Sequence, residues 1–437
     1  MLGNSLSECS VIGYKSSLPY HRYINAPRLY LSKTFLLTAL ADSDRLRRSI
    51  TYNYKYGKAK WSIEMSIVIQ EVKTPAQMKE FIYLPEKVNA GRKNWVPPFY
   101  ADDARSFDSK RNPSHAYCEM IYALAYQDGK AVGRIAGIIN KRLNERQGTK
   151  VGRFGYYDAI DSFEVTEALV KFAEAWAKAK GMTKIVGPMG FTEEDPEGFM
   201  TEGFDEVPSL ASFENLPSVP GYIERLGYGK EVDYVVYQVE VKKAKTEFYG
   251  KMFKRVERNP DLILKNLTKT SELRPYILPI FKLMNDAFTH LYGYSTFEEH
   301  EMQDLANRYI SVVDPKFIKT VVNAAGEVIG FIVAIPNMAD GIRKARGRMF
   351  PFGFLSILAA RKKSKILDLY MGAIKESYRG KGVDVLLGYS LLETCANAGI
   401  EYWDSHHELE NNAQVRAEME RAQGRIYKRF RIFGKEL

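Results

Sequence analysis

The pattern of apolar and polar positions becomes regular after residue 65. Ile366–Ile374 is mostly apolar, which predicts a central strand covered on both faces. Across Val383–Ala398 apolar side chains recur at helical spacing and Gly399 follows as a C-terminal stop, so this segment is predicted to be a helix. The same criteria predict further helices over 165–179, 271–291, 298–310 and 413–422, and further strands over 117–126, 131–139, 153–159, 317–322, 328–335, 401–405 and 426–433.

Short motifs recur along this pattern at a constant offset of 197 residues. The pairs with that offset are Gly129 and Gly326, Gly133 and Gly330, Asn140 and Asn337, Asn215 and Asn412, and Gly227 and Gly424. Agreement of these pairs in one register is not expected by chance and indicates a duplicated unit. The sequence therefore predicts two homologous domains, 65–240 and 241–437, each of mixed α/β structure.

Residues 1–64 lack this periodicity and are rich in Tyr, Ser, Asn and basic residues. Their apolar run at 34–37 is too short for the core of a secretory signal. We expect an N-terminal extension that is disordered or loosely attached. A leader rich in Arg and Ser with few acidic residues is also typical of a transit peptide, and that alternative remains open.

The composition, with 45% hydrophobic and 27% charged residues, is that of a soluble globular protein. No apolar run reaches the roughly 18 residues that a membrane-spanning helix needs. The three cysteines, Cys9, Cys118 and Cys395, are far apart, which argues against a disulfide framework and a Cys-rich zinc site. We therefore expect a reducing, cytoplasmic location and no metal.

The net charge of +10 lies mainly outside the patterned region. Residues 1–64 contain ten Lys and Arg against four Asp and Glu, which accounts for +6 and leaves +4 for the other 373 residues. That excess is too small for the basic surface of a nucleic-acid-binding protein, so no nucleic-acid partner is expected.

A glycine-rich turn follows the predicted strand Ile366–Ile374 and leads into the next helix. Gly380 and Gly382 let the backbone approach a ligand closely and turn its N–H groups inward. Arg379 and Lys381 add full positive charges to the positive end of the helix dipole, which suits a pyrophosphate. A plain strand-to-helix turn also uses glycine, so the turn alone leaves both interpretations open.

The segment Tyr-Arg-Gly-Lys-Gly-Val, residues 378–383, resembles the acyl-CoA-binding turn Gln/Arg-x-x-Gly-x-Gly/Ala of the GNAT acyltransferase superfamily. The predicted element order of 241–437 is similar to that family's order throughout, and 65–240 resembles it more faintly. The resemblance implies two GNAT-like domains in tandem, as in tandem GNAT-like bacterial proteins, with an α/β fold built on a mixed sheet.

The same resemblance implies an acyl-CoA site, most simply for acetyl-CoA as co-substrate. The residues that it assigns to the CoA pyrophosphate are Arg379, Gly380, Lys381, Gly382 and Val383, and those assigned to the pantetheine arm are Met371, Ala373 and Ile374. Asn412, or Asn411 beside it, is implied at the mouth of the CoA site.

Two residues of the second domain depart from the family pattern. Asp384 stands where the pattern has Gly or Ala, and a carboxylate there repels a nearby pyrophosphate. Met419, seven residues after Asn412, replaces the tyrosine that protonates the leaving thiolate in many relatives. The first domain has that tyrosine as Tyr222, but residues 160–163 replace its phosphate turn. We predict that the second domain binds CoA and that the first is degenerate.

Catalysis needs an acid for the thiolate and a base for the proton of an ammonium acceptor. Tyr427 is a candidate substitute for the missing tyrosine, with a buried strand aromatic as the alternative. His406 and Glu408 follow the strand predicted at 401–405 and are the candidate bases, with solvated loop residues as the alternative. Because neighbours on a strand face opposite ways, at most one of His406 and His407 is expected to face the cleft.

Residues 340–365 form an insertion with eight Lys and Arg and one Asp around an apolar centre at 349–358. Three interpretations remain open: a helical hairpin packed on the neighbouring domain, a lid over the substrate, and peripheral contact with an anionic membrane. The acidic run 193–195 either borders an amine site or is a solvated charge run.

Together these features predict an acyl-CoA-dependent N-acyltransferase, most simply an N-acetyltransferase. A small-molecule or peptide amine is expected to attack the thioester directly. One alternative is a catalytically inactive acyl-CoA-binding module, which Asp384 and Met419 favour. The other is an aminoacyl or long-chain acyl transferase, which the tandem layout and the basic apolar insertion favour.

Overall fold

The computed structural model describes residues 48–53, 58–63, 66–192, 195–209, 212, 214–310 and 313–437. The chain divides into two compact units, Met1–Glu64 and Met65–Leu437. In the first unit, strand β1 (Arg48–Asn53) pairs antiparallel with β2 (Lys58–Ile63). The rest of the predicted extension lies outside the described residues, and its disorder stays a prediction.

The second unit begins with the elements of 65–240, called the first half below. Its strands are β3 (Ile67–Glu71), β4 (Cys118–Gln127), β5 (Lys130–Asn140), β6 (Val151–Ala159), β7 (Lys184–Gly187), β8 (Phe199–Glu202) and β9 (Gly229–Glu240). Its helices are α1 (Pro75–Val88), α2 (Tyr100–Ser106), α3 (Lys141–Gln147), α4 (Phe163–Ala179) and α5 (Val219–Arg225).

The elements of 241–437 are called the second half. Its strands are β10 (Ile263–Asn266), β11 (Ile318–Val322), β12 (Val328–Pro336), β13 (Ile366–Ile374), β14 (Tyr402–Asp404), β15 (Glu408–Leu409) and β16 (Arg425–Glu436). Its helices are α6 (Val241–Ala244), α7 (Glu247–Val256), α8 (Thr270–Leu273), α9 (Ile277–Phe288), α10 (Glu299–Tyr309), α11 (Ala339–Ala345), α12 (Gly353–Lys363), α13 (Val383–Ala398) and α14 (Ala413–Arg421).

Fourteen strands of the described second unit form one mixed sheet that runs through both halves. Their order is β10-β11-β12-β13-β14-β9-β16-β7-β6-β5-β4-β3, with β15 beside β9 and β8 beside β16.

The last strands of the two halves are exchanged. β9, from the first half, pairs with β14 of the second, and β16, from the second half, pairs with β7 of the first. β9 carries the buried run Val235, Val236 and Tyr237, which suits a strand at the centre of a sheet. The domain boundary predicted at residue 240 therefore falls between elements of one shared sheet, and the duplication stays a prediction from the sequence.

One long helix packs on the sheet in each half, α4 in the first and α13 in the second. A Cβ at Gly133 of β5 would lie 2.7 Å from Leu169 Cδ1 of α4. At Gly330 of β12 it would lie 2.5 Å from Val383 Cγ1 of α13. Gly133 and Gly330, which are 197 residues apart in the sequence, thus permit the same close approach of a helix to the sheet.

The predicted α/β fold with a mixed sheet is confirmed, and Ile366–Ile374 and Val383–Ala398 have the predicted bounds. The single helix predicted over 271–291 is wrong, because α8, a 3-10 turn at Arg274–Tyr276 and α9 occupy that segment. Pro275 lacks the N–H group that a continuing helix needs. Within the described ranges, none of the helices combines the length and apolar character that crossing a membrane requires.

Candidate active site

Strands β13 and β14 separate partway along their length. They pair in parallel only from Ile366 to Asp368 of β13, and beyond Asp368 this edge has no strand partner in the described part of the chain. Tyr370 is an extra residue opposite Val333 and Ala334 of β12, so a β-bulge lies just past the point of separation. The result is a wedge in the sheet, bordered on one side by an edge of β13 that no described strand covers.

A cavity of about 180 Å³ lies at this wedge, between β13, residues 406–409 and the end of α9. Its walls are mostly apolar or aromatic. The second half contributes Met284, Phe288, Leu291, Tyr292 and Tyr294 from α9 and the loop after it. The first half contributes Tyr234, which reaches the cavity on the exchanged strand β9.

Apart from tyrosines, the titratable side chains of the cavity wall are carboxyl and imidazole groups, with neither Lys nor Arg among the lining residues. They are Asp195, Glu197, His406, His407 and Glu408. The Asp195 carboxylate accepts hydrogen bonds from Tyr156 Oη and from the N–H of Phe191, both at 2.8 Å. Residues 193–194 of the predicted acidic run lie outside the described residues. Such a lining favours a cationic group over an anion.

His406 and His407 both line the cavity, so the expectation that at most one would do so is wrong. His406 has a left-handed φ of 59°, which breaks the alternation of an extended strand. Its ring centroid lies 5.5 Å from that of Tyr370. The His407 ring lies 4.2 Å from that of Phe430, and burial holds the pKa of His407 well below its ordinary value. The His407 imidazole is therefore neutral at physiological pH.

Glu408 is the carboxyl group of the cavity wall best suited to exchange a proton. It lies on β15, which pairs with β9 at Val235. Burial raises the pKa of Glu408 to about 8, and the negative charge of Glu418 adds to the effect. A carboxyl group with this pKa gains and loses a proton near neutral pH, as a general base for an ammonium group must.

The glycine-rich turn has the conformation that close approach of a ligand requires. Gly380 and Gly382 have φ values of 73° and 92°. Among the described atoms nothing lies within 4 Å of a Cβ built at Gly380, and Arg379 and Lys381 on either side are exposed. A Cβ at Gly382 would lie 2.7 Å from Val256 Cγ1 of α7, so this part of the turn packs against protein.

The residues predicted to contact pantetheine lie on β13 beyond the departure of β14. Met371 lines the cavity, while Ala373 and Ile374 continue the strand toward the turn. Asn412 lines the cavity as well and caps the N-terminus of α14. Val383 is fully buried at the start of α13. The contacts of these residues with CoA stay predictions.

Tyr427 is not among the residues that line the cavity and belongs to a buried polar cluster. Its hydroxyl donates a hydrogen bond to the Asp404 carboxylate, which also accepts one from Lys428 Nζ at 3.0 Å. Burial and the charge of Asp404 raise the pKa of Tyr427 far above its ordinary value. The hydroxyl acts here as a donor within the core, and its role as the acid stays a prediction.

The corresponding opening in the first half is covered by the chain itself. β6 and β7 also pair in parallel over a short stretch. A Cβ at Gly155 of β6 would lie 2.2 Å from the Met189 carbonyl oxygen, so the segment after β7 covers the strand. Before α4, the Asp161 carboxylate accepts hydrogen bonds from Ser218 Oγ at 2.6 Å and Tyr222 Oη at 2.9 Å. The Asp161 carboxylate thus occupies the position at which the second half has its glycine-rich turn, and the Tyr222 hydroxyl donates its hydrogen bond to this carboxylate.

The apolar wall formed by α9 and the following loop was not predicted as part of the site. The available signal was the apolar and aromatic run at the end of the segment 271–291, which core packing explains equally well. Tyr234 reaches the cavity because β9 is exchanged, and no local pattern indicates that pairing.

No family model matches the chain. Protein YghO of Escherichia coli (strain K12) is 28% identical over 373 residues, covering 82% of this chain and 93% of that protein. The bacterial ceramide synthase of Caulobacter vibrioides (strain NA1000 / CB15N) is 27% identical over 385 residues, covering 86% of this chain and 99% of that protein.

Among solved structures, a GCN5-related glucosamine N-acetyltransferase region of a fungal multi-domain GH3 β-N-acetylglucosaminidase matches 86% of this chain and 39% of that chain, with a TM-score of 0.50 and 9% identity. A tandem GNAT protein from the clavulanic acid biosynthesis pathway matches 85% of this chain and 98% of that chain, with a TM-score of 0.49 and 11% identity. At such identity, the first match concerns the fold alone. The chain has the GNAT fold, and the resemblance inferred from residues 378–383 is confirmed at that level.

Proposed function

We propose that this chain transfers an acyl group from a CoA thioester to the amine of a long-chain acceptor in the cavity beside β13. The observation that carries the proposal is the cavity lining, which combines apolar walls with carboxyl and imidazole groups and has neither Lys nor Arg. Apolar walls favour hydrocarbon, a lining without Lys or Arg disfavours a carboxylate or phosphate, and carboxyl oxygens accept hydrogen bonds from an ammonium group. The relative named a bacterial ceramide synthase supports this class of reaction, because a ceramide is the amide of a fatty acid and a long-chain amine.

The thioester side of the proposed site is the glycine-rich turn together with the open edge of β13. The free space at Gly380, between the exposed Arg379 and Lys381, suits the oxygens of a pyrophosphate. From Met371 to Ile374, β13 has no strand partner on this edge within the described ranges, and it offers main-chain donors and acceptors to the amides of the pantetheine arm. Tyr370, at the bulge, then lines the cavity into which the arm delivers the thioester.

Direct transfer of the acyl group in this cavity requires few side chains of the protein. The Glu408 carboxylate first takes one proton from the ammonium group, and the neutral amine nitrogen then attacks the thioester carbonyl carbon. A C–N bond forms, the C–S bond breaks, and CoA leaves as the thiolate. The second nitrogen proton passes to the thiolate, and Glu408 returns its proton to water. Because a thiol has a pKa of about 8.5, the thiolate leaves without a dedicated acid, so the tyrosine that Met419 replaces is dispensable.

We expect an acyl chain longer than the acetyl group predicted from the sequence, with only the part nearest the thioester enclosed in the cavity of about 180 Å³. The wall formed by Met284, Phe288 and Leu291 has no charge with which to recognise a small polar substrate. Each methylene group buried against such a wall contributes about 0.8 kcal/mol, so a longer chain gains binding energy that acetyl does not.

The proposal is tested by following thiol release and amide formation with the full chain. Palmitoyl-CoA and acetyl-CoA are compared as donors, and a long-chain amino alcohol and glucosamine as acceptors. We expect the pair of long-chain substrates to give a kcat/KM at least about tenfold above any pair with a short one, because of the apolar area buried. Fastest turnover with acetyl-CoA would instead support the acetyltransferase expected from the sequence.

A charge variant tests the thioester side separately. Lys381→Ala removes an exposed cation of the turn and should raise the KM for acyl-CoA about fivefold, with kcat little changed. Lys130→Ala removes an exposed lysine of the first half and serves as the matched control. Binding of CoA by the wild type without an amide product from any acceptor would favour the inactive binding module.

A further inference from the structure

Exposed large apolar side chains are concentrated in one short segment of the chain. Ten such side chains are exposed among the described residues, and five of them lie within 350–358, called the hairpin tip below. They are Phe350, Phe352, Phe354, Leu355 and Leu358, with exposed fractions of 81%, 73%, 36%, 54% and 44%. Apolar side chains usually stand singly on a soluble surface, so this cluster indicates a binding surface.

The other side of the hairpin formed by α11 and α12 is anchored to the protein. Ile342 and Ile357 are buried and pack together with Met338. Arg348, in the loop between the two helices, forms an ion pair with Glu86 of α1 at 2.6 Å. The predicted packing of a helical hairpin is therefore present, and the hairpin tip is the apolar part that this packing leaves outside.

Basic side chains flank the hairpin tip on both sides. Lys344 and Arg346 precede it, and Lys362 and Lys363 follow it, all of them exposed. Asp340 is the one acidic residue of the whole insertion. The rise of about 1.5 Å per helical residue places Lys362 about 12 Å along α12 from Phe354, so these cations lie beyond the apolar cluster and not within it.

An aromatic tip between cations matches an anionic lipid surface better than a second copy of this chain. Phe and Leu gain from entering the acyl boundary, while Lys and Arg gain from the negative surface potential of the headgroups. A second copy docked tip to tip brings like charges together, because the insertion has eight Lys and Arg and one Asp.

We propose that the hairpin tip docks this protein on the surface of an anionic membrane. Phe350 and Phe352 enter the acyl boundary, and Lys362 and Lys363 lie among the phosphates. Ile335 packs with Ile342 and Ile357 of the hairpin, and Val333 packs with α9. Because the two residues are two positions apart on β12, they face the same side of the sheet. Docking therefore turns toward the lipid the face of the sheet that bears the α9 wall of the cavity. The proposal stands apart from acyl transfer, and its test needs no turnover.

The test is co-sedimentation of the full chain with vesicles. One set contains equimolar phosphatidylglycerol and phosphatidylcholine, and the other phosphatidylcholine alone. The wild type should bind the anionic set at least about tenfold more tightly. Phe350→Ser combined with Phe352→Ser should weaken that binding about 100-fold, or about tenfold for each ring. Lys362→Gln combined with Lys363→Gln should weaken it about 25-fold on the anionic vesicles alone.

Phe248→Ser is the matched control, because Phe248 on α7 is 72% exposed and lies outside the hairpin. Unchanged thermal unfolding is expected for every variant, since the altered side chains are exposed, and it verifies that the variants fold. Wild-type binding by the double Phe variant, or an equal loss in Phe248→Ser, would overturn the proposal. Light scattering measures self-association of the same variants. If the double Phe variant loses self-association but keeps its lipid binding, the proposal is overturned and the hairpin tip is assigned to a second copy.

Discussion

The pKa of Glu408 leads to a quantitative prediction for the pH dependence of acyl transfer. When the Glu408 carboxylate accepts the ammonium proton, only its ionised form supports the reaction. With a pKa of about 8, the ionised fraction is about one tenth at pH 7 and about nine tenths at pH 9. The rate at saturating acyl-CoA should therefore rise about tenfold over that interval and level off above it.

Two variants separate this carboxyl group from other titrating groups. Glu408→Gln should lower kcat about 100-fold or more and abolish the inflection near pH 8. Glu418→Gln removes the negative charge that adds to the raised pKa of Glu408. It should move the inflection to lower pH, by less than about one unit because burial is the larger cause, and leave the maximum rate unchanged.

The assay is thiol release followed at each pH with acceptors whose amines differ in pKa. An inflection that survives unchanged in Glu408→Gln would refute the assignment of the base. An inflection that follows the pKa of the acceptor amine in the wild type would equally refute it, because the amine would then arrive already neutral.

The remaining predictions concern stability and are measured by denaturant unfolding. Gly380→Ala and Gly382→Ala each place a Cβ at positive φ at a cost of about 1–2 kcal/mol, and the contact of 2.7 Å with Val256 should add about 1–3 kcal/mol at Gly382 alone. The difference between the two glycines should vanish in a Val256→Ala background, and equal losses without that change would contradict the packing described. Lys428→Met leaves the buried Asp404 carboxylate without its cation and should cost about 3–5 kcal/mol, so unchanged unfolding would contradict the buried ion pair.

The sequence correctly predicted the elements whose first and last residues are determined by the local composition. Ile366–Ile374 is apolar except at Asp368 and Tyr370, as expected of a strand covered on both faces, and Val383–Ala398 lies between two glycines that fix its ends. The exchange of β9 and β16 could not be predicted from local composition. It depends on pairs such as Val236 with Lys428, which lie far apart in the chain, and the local sequence of a strand does not specify its partner.

The same distinction applies to the candidate site. Met371 and Asn412 were predicted from the resemblance to GNAT motifs, and Glu408 from its position after the strand predicted at 401–405; all three line the cavity. Phe288 was not, because an aromatic residue on an amphipathic helix is normally a core position. The bulge at Tyr370 depends on its register with β12, which hydrophobic periodicity does not specify.

Because β9 lies between β14 and β16, the second half is built around a strand that it does not encode. Deleting the first half would strip that strand and Tyr234 from the cavity of the second. Natural selection can therefore let the Asp161 region of the first half drift while it preserves β9. In an alignment of descendants, the half without a glycine-rich turn should vary around its former site and stay constant along its last strand.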